Sequence, residues 1–213
     1  MFDQYINMFS PPPLGVTQFT GDIKYIQKIV KENQFESNGG WNSISNDKWI
    51  LDVPELIDLK NIINNFIRRY VLKVFGIDHS VDITQSWSTV TNNGEEHPVH
   101  FHPNSYLSGV MFVKSSDDSS PLLLHNNIKL PSISLDLYDG KESNIPPNEF
   151  ASVTASTFSV APTEGSIVLF PSLTPHGVCK SRSKDERIII AFNTFPRLPF
   201  GCERETNLVV SRI

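Results

Sequence analysis

At 213 residues, with 39% hydrophobic residues and fourteen Phe, the chain is long enough for one well-buried core and short for two. A net charge of −5 argues against a sequence-independent nucleic-acid binder, which needs a basic face, and no apolar run approaches the roughly 20 residues that cross a bilayer. The start, Met1-Phe-Asp-Gln-Tyr5, has neither the basic nor the apolar region of a secretory signal, so Cys179 and Cys202 are expected as free, buried thiols of a cytoplasmic protein.

The chain opens with turn residues. Pro11-Pro-Pro-Leu-Gly15 predicts a polyproline II lead-in or an edge strand. Thr20 is placed to cap a first helix carrying Ile23, Tyr25, Ile26, Ile29 and Val30 on one side, and Gly39-Gly40 ends this region in a loop. Asp52-Val-Pro-Glu55 has the spacing of a capping box with Pro just inside the first turn. Leu56, Leu59, Ile63, Phe66, Ile67, Tyr70 and Val74 follow at three- and four-residue steps, and Gly76 supplies the stop. An amphipathic helix laid against a sheet is the expectation.

After Gly76 the period changes to two. Runs rich in Val, Ile, Thr and aromatics occupy 81–90, 106–114, 122–125, 133–138, 150–158, 166–170 and 187–195, separated by turn clusters such as Asn92-Asn-Gly94 and Thr163-Glu-Gly165. Seven or eight strands behind a helical N-terminal segment predict a mainly β protein with N-terminal helices, an antiparallel sandwich or barrel of the jelly-roll type. The expected organisation is one domain over 1–213, with a helical segment, 1–76, packed on a jelly-roll core, 77–213. The polar stretches 114–121 and 139–149 are candidate lids over its mouth.

Three of the six histidines fall within His97-Pro-Val-His100-Phe-His102. His100 and His102 are two apart, so on an extended segment they project from the same face, and imidazole is the commonest neutral metal ligand. His176, in Phe170-Pro-Ser-Leu-Thr-Pro-His176-Gly, is the candidate third ligand. A structural zinc site would want four closed ligands, often thiolates; three ligands with open positions suit a catalytic metal, which for oxygen chemistry is Fe(II). Glu95 or Glu96 could supply a carboxylate if His102 does not bind. His97 is expected beside the site or on the surface, His79 and His125 toward solvent, and Trp87 in the core.

Arg187 opens the strand Arg187-Ile-Ile-Ile-Ala-Phe-Asn193. Period two puts Arg187, Ile189, Ala191 and Asn193 on one face and Ile188, Ile190 and Phe192 on the other. The second face is all apolar and reads as packing against helices. The first reads as a cavity wall, where a buried guanidinium calls for an anion held through two parallel hydrogen bonds.

His100-x-His102, a distal His176 and an arginine eleven residues later resemble the iron- and 2-oxoglutarate-dependent dioxygenases. The likeness is closest to a group of 2-oxoglutarate oxygenases from bacteria and phages, distantly similar to prolyl 4-hydroxylases. It spans nearly the whole chain: Phe9-Ser-Pro-Pro, Asp52-Val-Pro-Glu-Leu56, Ser86-Trp87, the stretch from His100 to Val110, Gly165-Ser-Ile-Val-Leu-Phe-Pro-Ser172 with His176, and the stretch from Glu186 to Asn193 follow in that group's order.

The resemblance implies a double-stranded β-helix (jelly roll) flanked by α-helices, using Fe(II), 2-oxoglutarate as cosubstrate and O2. It implies His100, His102 and His176 as metal ligands, Arg187 on the far carboxylate of 2-oxoglutarate, and Asn193 near the iron. A hydroxyl from Ser105, Tyr106 or Ser108 would assist Arg187. His102 departs from the wider superfamily, which has Asp or Glu there; a third neutral imidazole leaves the iron one negative charge short. A three-histidine cupin-type oxygenase without 2-oxoglutarate, and a non-catalytic jelly roll holding a stabilising metal, are the alternative readings. The expected substrate is a small molecule or a peptide, with no nucleic-acid or membrane partner, and an edge strand could support a homodimer.

Overall fold

The computed structural model describes residues 13–125 and 157–201. Expected strand 133–138, most of 150–158, the 139–149 lid and Cys202 lie outside the described residues. Among those described are eleven strands and two α-helices in two antiparallel sheets.

The larger sheet has the order β1-β9-β6-β11-β4-β3-β2. Its strands are β1 (Gly15–Gln18), β2 (Phe35–Asn38), β3 (Asn42–Ser45), β4 (Val81–Thr91), β6 (Leu107–Lys114), β9 (Ser166–Pro171) and β11 (Arg187–Pro196). The smaller sheet has the order β5-β10-β7-β8, from β5 (His97–His100), β10 (His176–Val178), β7 (Leu122–His125) and β8 (Thr157–Val160).

The alternation in the central strands builds two cores. Leu107, Met111 and Val113 of β6 and Ile188, Ile190 and Phe192 of β11 face outward onto the helices. Val110, Phe112, Val168, Phe170, Ile189 and Ala191 face inward, toward Leu122 and Leu124 of the smaller sheet. This two-sided burial is why β6, β9 and β11 read as continuous apolar runs. Gly109 allows the outer core to close, because a Cβ there would stand 2.1 Å from the Phe192 ring.

Helix α2 (Ile57–Phe75) lays Leu59, Ile63, Phe66, Ile67 and Tyr70 on the outer face of the sheet, each burial contributing about 1.5–3 kcal/mol. Gly76 ends it in the left-handed conformation, φ 69°, donating its N–H to the Leu72 carbonyl. Val71, not the expected Val74, completes the buried stripe; Val74 is exposed.

The helix entry differs from the capping-box reading. Val53 precedes Pro54 and is extended (φ −69°, ψ 142°), so residues 50–56 form two 3-10 turns and α2 begins at Ile57 without a side-chain cap. Asp52 instead pairs with Lys60. In α1 (Ile23–Lys31) the cap is Asp22 rather than Thr20: its carboxylate accepts from the N–H groups of Lys24 and Tyr25 at 2.9 and 3.0 Å. Tyr25 lies on the exposed side, while Ile26, Gln27 and Val30 are buried.

The N-terminal segment is not purely helical. Its strand β1 pairs with β9, and the β2–β3 hairpin, turned through Gly39 and Gly40 at positive φ, adds to β4. No helix among the described residues is long and apolar enough to cross a membrane. Cys179 is a free thiol but exposed, contrary to the buried thiol expected.

Candidate metal centre and anion pocket

His100 closes β5 and His176 opens β10, and these two residues are register partners across the pair. Their rings therefore lie side by side, centroids 4.4 Å apart. His102 follows on the same run, its N–H held by the Ser172 carbonyl at 2.9 Å, with its ring 5.0 Å from His100 and 5.1 Å from His176. One ligand nitrogen from each lies within 4.8 Å of the others. Gly177 makes this crossing possible: a Cβ there would meet the His97 carbonyl oxygen at 2.9 Å and the Val99 nitrogen at 3.1 Å.

The ring environments fit a cation. His100 Nδ1 lies 2.8 Å from the Pro98 carbonyl and His176 Nδ1 2.8 Å from the Thr174 carbonyl. Each Nδ1–H donates there, which leaves Nε2 with its lone pair toward the cluster. Burial pushes the His176 imidazole down to about 3, with neighbouring imidazoles adding to the drop against the Thr174 bond, and burial beside His100 pushes His102 down to about 4. Both rings are neutral at pH 7, the form that binds metal.

His97 is closer than a surface residue. It stacks on His100 at 4.3 Å and 16°, with Nδ1 3.4 Å from Asn42 Nδ2, so the N-terminal hairpin braces the strand that carries His100. Trp87 packs against the inner core, as expected, and also forms part of the cavity wall, meeting His102 edge-on at 5.8 Å. Glu95 is engaged in its own turn, accepting from the Asn92 backbone N–H at 2.7 Å, and neither Glu95 nor Glu96 is in the ligand cluster. His79 is half-buried, with Nε2 2.6 Å from the Arg197 carbonyl. His125 Nδ1 sits 3.0 Å from the Thr157 hydroxyl.

Arg187 lines the same cavity as the three histidines and is only 2% exposed. Its Nε and Nη2 have no hydrogen-bond partner among the described residues, and its guanidinium lies 5.2 Å from the Phe112 ring centre. Burial lowers its pKa to about 10, so it keeps its charge at pH 7. A cation in a cavity wall without a protein anion is a group that a ligand anion can satisfy.

The assisting residues differ from expectation. Asn104 takes a left-handed turn (φ 64°) that carries Ser105 away, and Ser105 does not line the cavity. Tyr106 faces the helix side, packed on the outer core 5.5 Å from the Phe75 ring, although its backbone bonds Thr194 and Ser172 on either side. Ser108 does line the cavity; it donates to Asn193 Oδ1 at 2.7 Å and bonds the Ser172 hydroxyl at 2.9 Å. Asn193 is buried behind Ser108 and is not itself in the cavity wall.

Three converging imidazoles and a buried guanidinium thus line one cavity of a jelly roll, a donor set that suits a metal ion and an anion. Residues 85–193 match the family described as "Putative 2OG-Fe(II) oxygenase", and the chain belongs to that family. Its cofactors are Fe(II), 2-oxoglutarate and O2.

Solved structures are similar in fold. HygX from Streptomyces hygroscopicus, crystallised with nickel, 2-oxoglutarate and hygromycin B, is 9% identical, with 88% of this chain and 84% of that one covered at a TM-score of 0.60. A prolyl hydroxylase from Trichoplax adhaerens in complex with a hypoxia inducible factor peptide is 15% identical over 89% and 85%, at 0.57. A Pseudomonas putida prolyl-4-hydroxylase is 11% identical over 87% and 94%, at 0.55. No curated protein sequence matches the chain.

Proposed function

We propose that His100, His102 and His176 hold the Fe(II) of this 2-oxoglutarate-dependent oxygenase and that Arg187 grips the far carboxylate of the cosubstrate, for hydroxylation of a C–H bond. The observation that carries this reading is one cavity lined both by a neutral imidazole cluster and by a buried, partnerless guanidinium. Iron bound there supplies the activation of O2, coupled to conversion of 2-oxoglutarate to succinate and CO2.

The protein's part is positioning. The Pro98 and Thr174 carbonyls fix two ring orientations, the β5–β10 register aligns the strands, and Phe112 carries the guanidinium. Trp87, Phe170 and Val110 wall the cavity with apolar surface that excludes water from the reacting atoms. These walls fit an uncharged part of a small molecule or a peptide side chain as substrate. The free, exposed thiol of Cys179 fits a reducing, cytoplasmic setting. A cupin-type oxygenase without 2-oxoglutarate leaves the burial of Arg187 without a purpose.

The test is succinate release from 2-oxoglutarate with Fe(II), in parallel with iron content. His176→Ala is expected to abolish both. Full succinate production by that variant contradicts the assignment.

A further inference from the structure

Strand β1 ends the larger sheet, and its outer edge is unpaired among the described residues. Phe19 donates to the Gly165 carbonyl at 2.8 Å, and Thr17 and Gly15 stand in register with Ile167 and Leu169 of β9. In an antiparallel ladder every second residue bonds the partner strand, so the N–H and C=O groups of Val16 and Gln18 point away from β9. Helix α2 runs beside that edge. A Cβ on Gly15 would stand 2.6 Å from the Tyr70 ring, so the strand backbone lies directly on the helix.

Residues 14–17 and one face of α2 enclose a groove of about 620 Å³, room for side chains and not only for water. Its floor of Phe66, Tyr70 and Val74 is largely apolar, and Val16 at its lip is 56% exposed. Arg69 and Lys73, one turn apart, line it without an ion pair among the described residues, and no acidic residue lines it. Like charges at that spacing repel, a cost that a bound anion removes.

We propose that this groove binds an extended segment of a partner protein, one that alternates acidic and apolar residues and adds to β1 as a further strand. Its backbone bonds the outward groups of Val16 and Gln18. Period two divides the side chains: those facing the helix lay acidic stems over Tyr70 and Val74 and set carboxylates on Arg69 and Lys73, while the others are apolar and cover Val16. On a chain of net charge −5 this basic groove is a local exception, which steers an acidic segment to this edge. A second copy would instead bring Arg69 and Lys73 of both protomers to one twofold axis, like charge against like. The chain's own lead-in is disfavoured too, because Pro11-Pro-Pro13 favours an extended path over the tight reversal needed to reach β1.

The test is fluorescence anisotropy of a labelled Glu-Val-Glu-Val-Glu-Val peptide with the full chain at low salt. Binding is expected, lost at high salt and weakened about tenfold or more by Arg69→Glu combined with Lys73→Glu. Val16→Pro removes one outward N–H without touching the ladder to β9, so it should cost about tenfold in affinity at an unchanged melting temperature. No binding of the acidic peptide, binding that Val16→Pro leaves intact, or equal binding of a Lys-Val-Lys-Val-Lys-Val peptide overturns the proposal. A dimer in sedimentation that Val16→Pro dissolves would put a second copy in the groove and overturn it as well. So would peptide binding that tightens about tenfold on removal of residues 1–12, which would put the lead-in there.

Discussion

The two ends of β11 treat an arginine in opposite ways. Arg197, just past the C-terminal end, is exposed and satisfied by its own chain through a two-pronged bond to Asp82. Arg187, at the N-terminal end, is sealed in the cavity wall, and its corresponding edge faces no protein acceptor among the described residues. An exposed pair adds little to stability, since water competes for both partners. A buried cation without a partner is a standing cost that persists only where something else supplies the anion. The same side chain is thus matched by its own chain at one end and left without a protein acceptor at the other.

The largest way to break this contrast is to remove the group that anchors the ligand's other end. His176→Ala should drop iron content to background, measured by metal analysis after gel filtration, because His176 is the most buried of the three proposed ligands and arrives from a different strand. Next, Arg187→Met should raise the 2-oxoglutarate Kd about 100-fold or more while iron is retained, and the ligand-free protein should melt higher. A lower melting temperature with unchanged affinity would make Arg187 a structural residue.

His97→Ala should weaken iron retention about tenfold without moving the 2-oxoglutarate dependence, since His97 braces His100 by stacking. Competition with a chelator reads this out. Asp82→Asn, at the other end of β11, should have the smallest effect. It leaves the cosubstrate Kd unchanged and gives a slight loss of melting temperature that fades at high salt. Its pH dependence has a definite sign. The Arg197 hydrogen bond holds the Asp82 carboxyl below its ordinary 3.8, so the contribution is present above that value and lost as the pH falls through the lowered one. Wild type and Asp82→Asn should therefore converge in acid.

How much of this was readable in the sequence follows from the range of each interaction. The His100–His102 pair is local, and the face shared by Arg187, Ile189 and Ala191 is a period-two pattern within one strand, so both were legible. Strand β10 is three residues long, too short for any period, yet His176 stood out by residue type alone. Asn42 and Trp87 owe their places to the pairing of β3 with β4 and of β4 with β11, which no local pattern encodes. Ser105 and Tyr106 depart from the expected face because the turn at Asn104 breaks the alternation that β6 follows from Leu107 onward. The early start expected for α2 failed for a local reason, the extended conformation that Pro54 imposes on Val53.

Anaerobic crystals soaked with Fe(II) and 2-oxoglutarate, with iron located by its anomalous scattering, test the central assignment most directly. The account predicts one iron within bonding distance of the Nε2 atoms of His100, His102 and His176, and a cosubstrate carboxylate on Nε and Nη2 of Arg187. Iron bound through Glu95 or Glu96, or a cosubstrate that leaves Arg187 untouched, would contradict it.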